Sequence, residues 1–154
     1  MISIAETLPQ PEPGQKRLFL KAGCPFCTKV VVFLAAAGLQ SKVKPIYDCP
    51  PVREYVSQLN EGKCTFPAIE IEEGKVIMLE SSDIIDFFMK EYNVDPKRLW
   101  ASRYFDEGML VTFRVLFGYL IKQEGGYENA SKWFAENANL VPHPCPPEGA
   151  AEVL

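Results

Sequence analysis

The stretch Arg17 to Gly38, RLFLKAGCPFCTKVVVFLAAAG, decides how this chain is read. Leu18-Phe19-Leu20 reads as the centre of a short strand, Arg17 to Lys21, which runs through Ala22-Gly23 into Cys24-Pro25-Phe26-Cys27. The segment after Pro25 has helical length and ends at Gly38, a residue that closes helices because it accepts left-handed backbone. Its run Val30 to Leu34 leaves little polar face, so the helix is expected to be buried.

Working outward, Lys42 to Tyr47 is expected as a second strand, with Pro45 marking a sheet edge or strand end because proline donates no ladder hydrogen bond. From Pro51, the apolar positions Val52, Tyr55, Val56 and Leu59 predict an amphipathic helix ending near Gly62. Pro67 to Ile71 and Lys75 to Leu79 flank Glu72-Glu73-Gly74 and predict a β-hairpin. Ser81 or Ser82 is expected to cap a helix that turns Ile84, Ile85, Phe88 and Met89 to a core. The order β-α-β-α-β-β-α predicts an α/β fold, a mixed sheet with helices on both faces.

That body occupies residues 17–92. Residues 1–16, with Pro9, Pro11 and Pro13, are expected as a flexible arm. Beyond Asp95-Pro96, residues 93–140 are expected as a helical extension containing Lys97 to Gln123 and Tyr127 to Asn139, and residues 141–154 as a proline-rich tail.

Of the 154 residues, 47% are hydrophobic, enough for a core without disulfide staples. A net charge of −4 and no basic stripe argue against a nucleic-acid partner. The apolar stretch Met109 to Ile121 is broken by Arg114 and is shorter than the ~20 residues of a membrane span, so no membrane partner is expected. Five cysteines, an odd number without a scaffold-like distribution, point to reduced thiols and a cytoplasmic location.

The thiolate is the reactive form of cysteine, and a helix N-terminus favours it through free N–H groups and the macrodipole. Cys24 is expected there, with Cys27 one turn inside and Pro25 at the first helical position, where a missing N–H costs nothing. A disulfide-exchange pair is the favoured reading. Two others stand beside it: half of a zinc site, for which Cys49, Cys64, Cys145 and the single His143 offer no second C-x-x-C, and two inert cysteines of a core helix. No metal is expected.

Three separated segments, Lys21 to Cys27, Thr65-Phe66-Pro67 and Leu79-Glu80-Ser81-Ser82-Asp83-Ile84, together resemble the glutaredoxins and the N-terminal domain of glutathione S-transferases, omega-like classes included. The resemblance spans roughly residues 17 to 92 and implies a thioredoxin-like, glutathione-binding domain. It implies Cys24 as nucleophile and Cys27 as resolving thiol, Pro67 as a cis-proline, and Phe66 as the residue whose backbone meets the cysteinyl part of glutathione. It further implies Glu80 and Ser81 at the γ-glutamyl end, Lys21 at a glutathione carboxylate and beside the thiolate, and Pro25 and Phe26 flanking the sulfur.

Glutathione is thus the implied co-substrate, and glutathionylated proteins or small disulfides the implied partners; the oligomeric state stays open. The function expected first is a glutaredoxin-like glutathione-disulfide oxidoreductase working through the CPFC motif. The alternatives are an omega-like transferase or dehydroascorbate reductase, and a non-catalytic redox-sensing module; an iron–sulfur role is disfavoured.

Overall fold

The computed structural model describes residues 4–138. The tail 141–154, with His143 and Cys145, lies outside the described residues. The elements are α1 (Ile4–Thr7), β1 (Lys16–Leu20), α2 (Pro25–Ala37), β2 (Val43–Tyr47), α3 (Pro50–Leu59), β3 (Ala68–Glu72), β4 (Val76–Met78), α4 (Ser81–Glu91), α5 (Trp100–Tyr104), α6 (Leu110–Glu124) and α7 (Tyr127–Asn137). A π-helical turn, Phe105–Met109, joins α5 to α6. The order β-α-β-α-β-β-α with a helical extension matches the expected fold class.

The sheet order is β2-β1-β3-β4, with β1 parallel to β2 and antiparallel to β3, and β3 antiparallel to β4. Pro45 lies in β2, an edge strand, where its missing donor leaves no central ladder bond unmade. Alternation along β1 builds two cores at once, because successive side chains leave opposite faces of a strand. Leu18 and Leu20 pack with Val30, Phe33 and Leu34 of α2 and Ile84 and Phe88 of α4. Phe19 joins Val52, Tyr55 and Val56 of α3 on the other face. Gly38 closes α2 with φ of 70°, the left-handed conformation its position required.

Arg17 lies one strand period from Phe19, on the α3 side, and is wholly buried. Its guanidinium meets Glu70 Oε2 of β3 at 3.2 Å. It also donates to Pro9 O at 3.1 Å, Ala5 O at 2.9 Å and Gln10 Oε1 at 2.8 Å. Tyr55 donates its hydroxyl proton to Glu70 Oε1, and Gly74 N–H donates to the same oxygen at 2.9 Å. A buried guanidinium needs acceptors for its forked donors, and the opening segment supplies three of them. This corrects the expected flexible arm: Ile4–Thr7 is helical, Leu8 is 2% exposed, and the segment is tied down through Arg17.

The start of α4 also differs from expectation. Neither serine caps the helix: Glu80 occupies the cap position without a side-chain capping bond, and Ser81 is the first helical residue and buried. Ser82 accepts a hydrogen bond from Lys29 Nζ of α2 at 2.9 Å, which commits its hydroxyl to a helix–helix contact instead.

Candidate active site at the start of α2

Cys24 is the N-cap of α2, with extended backbone (φ −87°, ψ 114°), and its Sγ accepts the Cys27 N–H at 3.3 Å. Pro25 follows at the first turn, where it removes a donor that would have no helical acceptor. The Cys24 thiol is held down at about 7: a hydrogen bond from the Cys27 thiol contributes most, burial opposes it, and the Cys27 and Phe26 N–H groups and the Lys21 charge add smaller help. Cys27, 4% exposed, moves the opposite way because its proton is held by Cys24, and burial adds to the effect. Its sulfur also accepts the Lys21 N–H at 3.4 Å. One thiol is ionised at the other's expense, as a nucleophile beside a protonated partner requires.

Phe66 O lies 3.7 Å from Cys24 Sγ, and the Phe66–Pro67 peptide is cis. Cys24, Cys27, Cys49 and Cys64 are free thiols. Among the described residues no group of three or more histidine, cysteine or acidic side chains is placed to share a metal ion.

A cleft of about 570 Å³ opens over Cys24. Lys21, Cys24, Pro25, Phe26 and Phe66 line it, as does Cys64, whose thiol burial pushes up. Cys27, Pro67, Glu80 and Ser81 do not line it. Its far wall was not anticipated: Phe113 and Phe117 of α6 with Tyr127 and Phe134 of α7. Phe113 stacks on Phe117 at 5.2 Å, and Phe134 meets both edge-on at 6.3 Å. Arg114 lies over the Phe26 ring at 5.4 Å, linking α6 to the cysteine loop. The i, i+4 spacing of Phe113 and Phe117 was the available signal, but an apolar stripe on a helix reads first as core.

The sequence of residues 23–91 matches the family of the glutathione S-transferase N-terminal domain. Residues 23–91 form a glutathione S-transferase-type N-terminal domain with the thioredoxin-like fold. No curated protein matches the chain. Among solved structures, glutathione transferase Omega 2C from Trametes versicolor is a distant likeness: TM-score 0.46 and 18% identity, over 86% of this chain and 63% of that one. The chain therefore spans less than two thirds of that transferase's length. No helix among the described residues is long and apolar enough to cross a membrane.

In this transferase-type domain, alkylation of Cys24 by iodoacetamide should follow its thiolate. The rate should rise with pH, reach half its plateau near pH 7 and fall away below, whereas Cys64, shifted upward, should react only at higher pH. Mass-resolved alkylation across pH 5 to 10 checks both. Lys21→Ala should raise the Cys24 midpoint by only a fraction of a unit, since Lys21 makes the smallest named contribution.

Proposed function

We propose that residues 17–92 bind glutathione and that Cys24 exchanges it with a small substrate held against the aromatic wall contributed by the extension, residues 93–140, in the manner of an omega-type transferase. The observation that carries this reading is a low-pKa thiol on the floor of a cleft whose opposite wall is Phe113, Phe117, Tyr127 and Phe134. The Cys24 thiolate attacks the glutathionyl sulfur of a mixed disulfide, releasing the substrate thiolate and leaving a Cys24–glutathione disulfide. A second glutathione thiolate attacks that bond, forms glutathione disulfide and restores Cys24. Lys21, Phe66, Pro67, Glu80 and Ser81 are the proposed glutathione contacts, with Pro25 and Phe26 beside the sulfur, in a reducing, cytoplasmic setting.

The hydrogen-bonded Cys24–Cys27 pair supports a second reading, the glutaredoxin-like dithiol route, in which Cys27 resolves a protein mixed disulfide. Cys27→Ser separates the two. Reduction of a protein mixed disulfide should survive the substitution on the transferase reading and collapse on the dithiol route, while a small aryl–glutathione disulfide, which needs only Cys24 and a second glutathione, should turn over on either.

The aromatic wall predicts selectivity. Phe117→Ala should raise KM for an aryl–glutathione disulfide about fivefold with kcat little changed, and leave a hydroxyethyl–glutathione disulfide nearly unaffected, an aromatic contact being worth about 1 kcal/mol. Steady-state kinetics on the two substrates checks this.

A further inference from the structure

A second cleft, of about 560 Å³, lies between α2, α4 and the α5–π–α6 helix. Its floor is Phe33, Ile85, Met89 and Leu99, and its rim carries Trp100, 75% exposed. Its charged lining is Lys29, Asp86, Lys97, Arg103, Asp106 and Glu107, and it is unequally served. Arg103 is paired with Glu107 at 2.8 Å and Lys29 donates to Ser82 at 2.9 Å. Asp106 has no such service: its Oδ1 is shut off from solvent and accepts no hydrogen bond. Lys29 and Arg114 lie close enough to act on it through space, yet neither bonds it, and burial pushes its carboxyl up.

Asp106 belongs to the π-helical turn Phe105–Met109, the one break in an otherwise α-helical rod from Trp100 to Glu124. Such turns recur at functional sites, where the extra residue redirects a side chain. A buried carboxylate oxygen left without a donor is costly, and it is relieved by a ligand that brings the donor. The exposed Trp100 ring adds an electron-rich face suited to a cation, and the floor adds apolar contact.

We infer that this cleft is a second ligand site, separate from the Cys24 cleft, that takes an organic ammonium: a cationic nitrogen directed to the Asp106 carboxylate, with an apolar stem on the Phe33–Ile85–Met89–Leu99 floor. A partial rotation of the Asp106 carboxylate, about a soft torsion, opens Oδ1 to the incoming N–H donors. A neutral alcohol of the same stem satisfies the floor but not the charge.

The test uses the full chain and 3-phenylpropylammonium as probe, with 3-phenylpropanol as its neutral counterpart, read by calorimetry and by amide and indole shifts in nuclear magnetic resonance. The ammonium should bind saturably at least tenfold tighter than the alcohol, with shifts at Trp100 and around Asp106. Asp106→Asn should weaken it tenfold or more, and Trp100→Leu, a change at an exposed position, severalfold. Glutathione exchange at Cys24 should stay at the wild-type rate in both variants. Absence of saturable binding, equal affinity for the alcohol, shifts confined to the Cys24 cleft, or unchanged affinity in both variants would each overturn the site, whatever becomes of the glutathione reading.

Discussion

Cys24→Ser should reduce glutathione exchange at least about a thousandfold, to the assay background, and leave no glutathione adduct detectable by mass spectrometry. A serine hydroxyl is not ionised near pH 7, whereas Cys24 titrates there, so the substitution removes the nucleophile and not merely its efficiency. The fold should survive: Cys24 is half-buried, and serine keeps an N-cap acceptor for the Cys27 N–H. Thermal unfolding should therefore move little while turnover vanishes. Retained turnover in a folded Cys24→Ser protein would place the reacting sulfur elsewhere, with Cys64 on the same cleft as the next residue to replace.

Glu70→Ala should be the most damaging change to stability away from the site, costing about 3–5 kcal/mol in urea unfolding. The carboxylate offsets the Arg17 charge at a position where the guanidinium is fully buried, and it also receives the Tyr55 hydroxyl and the Gly74 N–H. Removing it strands a buried cation and the Tyr55 hydroxyl proton together, while the Gly74 N–H keeps the Tyr55 oxygen, 3.2 Å away, as an acceptor. Tyr55, held protonated up to about 12 chiefly by burial and then by Glu70, remains a donor at any physiological pH. Glu70→Gln keeps an acceptor oxygen and should cost distinctly less. The double variant Arg17→Met with Glu70→Leu should be less destabilised than the sum of the two single changes, because the stranded charge disappears with its partner. Strict additivity would show that the pair does not act as a unit.

The Arg17 network also marks a limit of sequence reading. Arg17 stands at the head of the strand stretch that decided the fold, and the sequence marks it only as the start of that strand. Nothing local announces that Glu70, 53 residues away, lies opposite. The same holds for the opening segment, whose prolines suggested an arm. Its carbonyls become useful only beside a guanidinium buried by other parts of the chain. Ser81 and Ser82 were expected to cap α4 because serine oxygens often do, but Lys29, on a helix packed alongside, engages the Ser82 hydroxyl.

What the sequence determined by itself was local or strictly periodic. The alternation of Leu18, Phe19 and Leu20 sends side chains to both sheet faces, Gly38 ends α2 where left-handed backbone is needed, and Cys24-Pro25 starts the helix with a thiol at its positive end. These follow from backbone sterics and the helix dipole, which act within a few residues. Only the tertiary structure decided what faces the thiol and which charges are left alone. Phe113, Phe117, Tyr127 and Phe134 form a wall over Cys24 because α6 and α7 fold back to α2, and Asp106 Oδ1 is left without a donor on a π-turn beside a cleft that α2 and α4 help to line. Such pairings depend on packing between segments far apart in the chain, where no local propensity acts.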